Sequence, residues 1–211
     1  MITQTQALTT LSYLLGENSV PTSSILDSRK NFIQNTLNEI YRAYPWSFAQ
    51  ANATLTFASG VATLPTDWDY QHKIYGYFYN GSDQTPLTEI NIGDSDQYIQ
   101  NQYKFWIEHV VDDTYIIRTK DTAYSTAIIS YQTKVPTLSS TVSTPFNDAN
   151  VIALGAKRYV KATENPDADI SQDEALFQKR LNEAIAAVQV NRPLRKSRKV
   201  YYANNYHLGE N

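Results

Sequence analysis

The fold is decided in residues 44–65, which read YPWSFAQANATLTFASGVATLP. Upstream of Pro45 the apolar residues recur at helical spacing, and proline cannot continue an α-helix. Downstream, Leu55 and Phe57 alternate with threonines, and residues 59–60, Ser-Gly, supply a tight turn before a second apolar run. The stretch therefore predicts a helix that ends at Pro45 and a β-hairpin that follows it.

Helical patterns lie on both sides of this stretch. Two helices are predicted before it, over residues 4–15 and 24–44, because leucine and isoleucine recur every three or four positions. Two more are predicted after it, over residues 148–163 and 171–190. We expect the N-terminal and C-terminal helices to pack together, as a discontinuous helical bundle formed by residues 1–50 and 137–190.

Residues 51–136 are predicted to form an antiparallel β module inserted into that bundle. Aromatic and apolar residues alternate over residues 74–79, which precede an Asn-Gly turn signal. Residues 104–120 indicate a hairpin around an Asp-Asp turn, and residues 124–131 a further strand rich in β-branched and aromatic residues. The expected fold class is therefore α+β.

Composition narrows the class of protein. The chain has 211 residues and a mass of 24.0 kDa, which favours one domain, or one domain with a sizeable insertion. It has no cysteine, which excludes thiol catalysis, cysteine-ligated metals and disulfides. The first 16 residues do not resemble a secretory signal, and no apolar run reaches 18 residues, so no contact with a membrane is expected.

The charge is unevenly distributed along the chain. The formal net charge is -3, yet residues 191–211 carry five basic residues and one acidic residue, leaving -7 on the other residues. We predict that these 21 residues form an extended C-terminal arm. Its candidate binding residues are Arg192, Arg195, Lys196, Arg198, Lys199, Tyr201, Tyr202 and Tyr206. The basic and aromatic residues favour docking on a partner protein, ahead of a loose chain end or phosphate binding to nucleic acid.

Three tyrosines in the β module form a second candidate site. Tyr75, Tyr77 and Tyr79 share one face of a predicted strand. Exposed aromatics are typical of subunit interfaces and of sugar-binding platforms, so the sequence leaves three interpretations open. The face is a subunit interface, a platform for sugars, or a sheet surface packed by a loop.

Asp67, Asp69 and His72 form the only acid–base cluster that is local in the sequence. Such a group could serve hydrolysis or bind a metal. However, the two aspartates follow Leu-Pro in a turn, where Asp commonly caps its own backbone, and His109 and His207 have no recognisable partner. No phosphate-binding glycine loop or nucleophile motif is present. The sequence therefore predicts a protein that is not an enzyme, with no catalytic residue, no metal and no cofactor.

The order of these motifs resembles a known family. The helix that ends in Tyr-Pro-Trp-Ser-Phe (residues 44–48) leads to Leu-Pro-Thr-Asp-Trp (64–68), and the β region ends in Val-Pro (135–136). Pro-Phe-Asn-Asp (145–148) then precedes an alanine-containing helix. Over about residues 24–190 the chain is similar to the head-to-tail adaptor proteins of tailed bacteriophages, the tail tubular protein A or tail accessory factor group.

The resemblance implies a structural role in a virion. Members form a connector ring of twelve subunits that docks on the portal protein, joins it to tail or nozzle proteins and lets genomic DNA pass through its lumen. The expected partners are thus the portal, tail proteins, other copies of the chain and DNA bound without sequence specificity. The implied location is the head–tail junction, after synthesis in the bacterial host cytoplasm. The family's C-terminal arms reach the portal, a role that would fall on residues 191–211 here.

Two other functions remain open. The exposed aromatic residues would also suit a carbohydrate-binding or adhesin-type β module of a virion. The cluster of Asp67, Asp69 and His72 would suit a hydrolase.

Overall fold

The chain folds into a layer of helices and a β module of two sheets, in a computed structural model. The structure describes residues 1–79, 81, 83–97, 102–121 and 123–190. The predicted C-terminal arm, residues 191–211, lies outside the described residues.

The helices begin and end close to the positions that the sequence predicts. They are α1 (Gln4–Leu14), α2 (Ser23–Ala43), α3 (Ala149–Glu164) and α4 (Ser171–Val190), with short 3-10 helices at Ser47–Ala49 and Ile92–Gln97. The strands are β1 (Ile2–Thr3), β2 (Gln50–Thr56), β3 (Val61–Thr63), β4 (Tyr75–Tyr79), β5 (Gln84–Pro86), β6 (Thr88–Glu89), β7 (Lys104–Val111), β8 (Thr114–Arg118), β9 (Thr126–Gln132) and β10 (Ser143–Thr144).

The α+β class is confirmed, but the predicted helical bundle is wrong. α1, α2 and α4 each pack mainly on α3, and the small sheet formed by β1 and β10 belongs to the same layer. α3 can be surrounded because it buries small residues, among them Ala153, Gly155 and Ala156. Periodicity in the sequence identifies the apolar face of each helix, but it does not identify the element that covers that face.

Gly155 sets the close approach of the helices to α3. A Cβ atom at this position would lie 2.2 Å from Cγ2 of Thr36 in α2 and 2.9 Å from the Phe177 ring in α4. Thr36 and Phe177 are both completely buried, so neither side chain has room to retreat.

We therefore expect Gly155→Ala to destabilise the protein by about 1–3 kcal/mol, the usual cost of overpacking a core. In an unconstrained helix the same change would be stabilising, since alanine has the higher helix propensity. Urea denaturation measures the effect, with Gly93→Ala as the control because a Cβ there meets nothing within 4 Å. A gain in stability for Gly155→Ala would contradict the close packing of Thr36 and Phe177 on this glycine.

α4 runs antiparallel to α3. Lys161 and Lys157 bind Asp173 near the start of α4, and Phe177 faces Gly155 one turn further along. The C-terminal end of α4 therefore lies near the N-terminal end of α3.

The helical layer meets the β module at an aromatic cluster. Trp46 is buried, donates a hydrogen bond of 2.7 Å from Nε1 to the Ile40 carbonyl, and packs against Phe48 and Phe146 with ring centroids 5.5 and 5.3 Å away. Phe146 lies three residues before the start of α3, and Phe48 lies two residues before the start of β2. The cluster thus holds the start of the β module against the start of α3.

Two four-stranded sheets form the β module, with strand orders β2-β9-β4-β5 and β3-β8-β7-β6. Residues from both sheets share one hydrophobic core, which includes Leu55, Phe78, Phe105, Ile117 and Ile129. The pairing is antiparallel, as the sequence predicts, except between β6 and β7, which run parallel.

The predicted hairpin over residues 52–64 forms only at its turn. Ser59 and Gly60 both have positive φ, and Ala58 and Val61 form an isolated bridge across them. β2 then pairs along its whole length with β9, while β3 pairs with β8. The two strands therefore belong to different sheets: β2 pairs with a strand of its own length, whereas only three residues of β3 pair with β8.

Candidate functional site

The three tyrosines of β4 lie on the outer face of the sheet β2-β9-β4-β5. Ile74 and Phe78 point into the shared core, with exposed fractions of 5% and 0%, whereas Tyr75 is 69% exposed. Tyr77 and Tyr79 are half-buried on the same side as Tyr75. The predicted alternation along this strand is therefore confirmed.

This outer face carries no charged side chain on any of its four strands. The pairing register places the tyrosines beside polar and apolar residues of β9, β2 and β5. We call the whole surface the tyrosine face. Its members are Gln50, Asn52, Thr54, Thr56, Tyr75, Tyr77, Tyr79, Gln84, Pro86, Thr126, Ile128 and Ser130.

The tyrosine face is unusual for this part of the chain, which is acidic. Residues 51–136 contain ten acidic and five basic residues, a net charge of -5. Exposed acids lie elsewhere, such as Glu89 in β6, Asp94 and Asp96 in the second 3-10 helix, and Asp112 and Asp113 at the tip of the β7–β8 hairpin. An uncharged surface with tyrosines is typical of the core of a protein–protein interface, where charged residues are depleted.

A cleft of about 720 Å³ opens at one end of the tyrosine face. It lies between residues 45–50, which link the helical layer to β2, and residues 71–75, which lead into β4. Its lining is mostly neutral and polar and includes Ser47, Gln50, Asn52, Gln71, Tyr75 and Ser130. These side chains can exchange hydrogen bonds with hydroxyl or amide groups, and Tyr75 offers an exposed ring to stack on.

The acid–base cluster does not converge on one point. Nδ1 of His72 lies 3.2 Å from Oδ2 of Asp69, whose Oδ1 accepts a hydrogen bond from the Gln71 backbone N–H at 3.1 Å. Asp67 instead accepts a hydrogen bond of 2.9 Å from the Tyr131 hydroxyl. Asp69 thus caps its own turn, as aspartates commonly do, and orients His72 at the edge of the cleft.

Tyr131 is held in its neutral form. Burial, and then the hydrogen bond to the Asp67 carboxylate, raises the pKa of the Tyr131 hydroxyl to about 12. At neutral pH this hydroxyl therefore acts as a hydrogen-bond donor that fixes residues 65–69 against β9.

The other candidate residues lie apart from this site. A ring nitrogen of His109 contacts the Asp112 carbonyl inside its own hairpin. Among the described residues, no three histidine, aspartate or glutamate side chains are grouped so that they could hold a metal ion. The arm residues Arg192, Arg195, Lys196, Arg198, Lys199, Tyr201, Tyr202 and Tyr206, together with His207, lie outside the described residues.

Sequence reasoning identified the tyrosines but not the cleft beside them. Gln50, Asn52 and Ser130 become neighbours only when β2 pairs with β9, about 80 residues further along the chain. The alternation of polar residues in β2 indicates an outward face, but no local signal names the strand that lies next to it.

None of the helices in the described ranges has the length and apolar character needed to cross a membrane. No family model matches the chain, and no curated protein sequence matches it either.

Proposed function

We propose that this chain is a structural subunit of a head-to-tail connector ring in a tailed bacteriophage. In this role it docks on the portal protein, contacts tail or nozzle proteins and forms part of the conduit for genomic DNA. It acts as a structural building block of the ring and catalyses no reaction. The proposal includes a ring of about twelve copies, as the family resemblance implies.

The observation that carries the proposal is the tyrosine face. A closed ring needs two different surfaces on each subunit that fit each other, and both are permanently covered once the ring has closed. The outer face of a four-stranded sheet without charges suits such a contact, since no ion has to be desolvated when it is buried.

The charge distribution supports the conduit part of the proposal. The β module has a net charge of -5, and the helical segments 1–50 and 137–190 together add -2. An acidic wall would repel the phosphate backbone, so DNA could pass without being retained. The basic residues are concentrated in the arm, residues 191–211, which we propose binds the portal.

A single substitution on the tyrosine face tests the ring. We expect Tyr75→Arg to prevent ring formation on the portal, because a cation would have to be buried without a partner. Electron microscopy of the chain mixed with the portal protein from the same genome measures this. Tyr13→Arg is the matched control, since Tyr13 is 80% exposed on α1, and both variants should keep the circular dichroism spectrum of the unmodified chain.

Two results would count against the proposal. Rings of Tyr75→Arg that match those of the unmodified chain would show that the tyrosine face is not an interface. An unmodified chain that never associates with the portal would overturn the connector function itself.

The cleft favours a second candidate function, a carbohydrate-binding module of a virion. Its neutral amides and hydroxyls, next to the exposed Tyr75 ring, are the groups that bind uncharged sugars. Calorimetric titration with oligosaccharides from the host cell surface distinguishes the two functions. Binding that is lost in Tyr75→Ala, by a chain that stays monomeric with the portal present, would favour the module over the ring.

A further inference from the structure

The cleft beside the tyrosine face contains a histidine nitrogen that is ready to accept a hydrogen bond. The carboxylate of Asp69 can only accept, so Nδ1 of His72, 3.2 Å away, carries the ring proton when the imidazole is neutral. Nε2 of His72 is then an acceptor. His72 lines the cleft, and no described residue donates a hydrogen bond to this nitrogen.

Gln132 supplies a second acceptor in the same cleft. This residue lines the cleft and is only 4% exposed. Its Nε2 donates a hydrogen bond of 3.1 Å to the Tyr41 carbonyl, but its Oε1 is buried and has no hydrogen-bond partner among the described residues. Because an unsatisfied buried acceptor is costly, the site favours an occupant that brings a donor such as a hydroxyl group.

Lys73 gives the cleft its only permanent charge. None of the described residues that line the cleft is acidic. Lys73 is exposed and forms no ion pair with any described residue. The nearest acid in the sequence, Asp69, instead binds the Gln71 N–H and His72. The ammonium group of Lys73 is therefore available to an anionic group of a ligand.

We propose that the cleft binds an acidic saccharide, with its carboxylate on Lys73 and two of its hydroxyls on His72 Nε2 and Gln132 Oε1. The exposed ring of Tyr75 offers a flat surface for the sugar ring. The volume of about 720 Å³ lies within the range of about 300–1,000 Å³ that is usual for small-ligand sites.

This assignment rests on the second candidate function, carbohydrate binding, and specifies its ligand. A hydroxyl group both donates and accepts hydrogen bonds, so a sugar can satisfy the two free acceptors and also bind the side-chain amides of Gln50 and Asn52. A peptide that placed its terminal carboxylate on Lys73 would bring no ring of hydroxyls to these groups.

Calorimetric titration of the full chain, without portal protein, tests the ligand class. The probes are three disaccharides that contain galacturonic, glucuronic or sialic acid, each as the free acid and as the methyl ester. Esterification removes the charge and keeps the hydroxyls. We expect at least one free acid to bind about fivefold more tightly than its ester, the upper range for a solvated ion pair, and added salt to reduce the difference.

Three variants separate the contributions of the cleft residues. Lys73→Gln should bind the acid no more tightly than the ester. His72→Phe should weaken the binding of both, because Nε2 contacts a hydroxyl that both compounds share. Lys179→Gln is the matched control, since it removes the same charge from an exposed position on α4 outside the cleft. Circular dichroism checks that each variant keeps the fold.

Each contrary result overturns a different part of the proposal. Equal affinity of acids and esters for the unmodified chain would overturn the acidic class and leave carbohydrate binding in place. If none of the six compounds binds, the second candidate function fails as well. Triglycine that binds as tightly as the acids would show that only the carboxylate is recognised and would overturn the saccharide. The connector ring is tested separately, with portal protein present.

Discussion

Replacing Arg158 with methionine is expected to destabilise the fold by about 3 kcal/mol, the lower end of the range for breaking a buried ion pair. Arg158 lies in α3 and is 9% exposed. Its guanidinium binds Glu39 of α2 and Glu174 of α4, and its Nε donates a hydrogen bond of 3.0 Å to the Gly155 carbonyl. One side chain therefore connects three helices.

Two features of its surroundings set the size of this effect. The Arg158 guanidinium lies 4.3 Å from the centre of the Phe177 ring, so the loss includes a cation–π contact as well as two ion pairs. Against this, the side chains of Glu39 and Glu174 are 32% and 39% exposed, so water can partly solvate them once the arginine is gone. That partial solvation is why the expected loss does not reach the upper end of the range.

Urea denaturation measures the change, and α4 offers a matched control. Arg180 forms a pair with Glu183 at 2.9 Å, but these side chains are 56% and 47% exposed. Arg180→Met should therefore cost less than about 1 kcal/mol. If both variants lose the same small amount, Arg158 does not hold the three helices together.

Removing residues 191–211 is expected to abolish association with the portal while leaving the fold intact. Among the described residues, the last side chains that pack against the helical core are those of Ala184, Ile185 and Val188, so the shortened chain keeps every described core contact. Light scattering of the shortened chain mixed with portal measures association, and circular dichroism checks the fold. Normal assembly of the shortened chain would place the portal contact in the helical layer or the β module.

Two sets of substitutions separate the contributions of the arm. Neutral residues at Arg195, Lys196, Arg198 and Lys199 should mainly slow association and flatten its dependence on salt, because exposed charges steer the encounter. Alanine at Tyr201, Tyr202 and Tyr206 should instead speed dissociation, because buried aromatics are the usual anchors of an interface. Surface plasmon resonance at two salt concentrations resolves the two rates.

Local features of the fold could be predicted from the sequence. The hairpin of β7 and β8 follows from its two-residue Asp-Asp turn, and α3 begins where Asp148 caps it through bonds of 3.0 and 3.1 Å. The inward and outward positions of β4 follow from alternation alone. In each of these cases the deciding interaction lies within a few residues.

Features that depend on distant partners could not be predicted. Glu174 follows Ser171 at the spacing of a capping box. The Glu174 carboxylate nevertheless binds Arg158 and Gln178, and Asp169 accepts the hydrogen bond from the Ser171 N–H. The cleft in the candidate site and the separation of β2 from β3 likewise depend on which strands pair across the module. Contacts between residues that are far apart in the sequence leave no local pattern from which the partner could be identified.

The two ends of the β module leave the helical layer side by side. The Ala49 carbonyl and the Thr133 N–H are joined by a hydrogen bond of 2.7 Å, so the chain enters and leaves the module at one point. For evolution, the whole module is therefore equivalent to an insertion into a single tight turn of the helical layer. A single recombination event could exchange the module for another pair of sheets without displacing a helix, and the protein would acquire a new surface while the helical layer beneath it stayed the same.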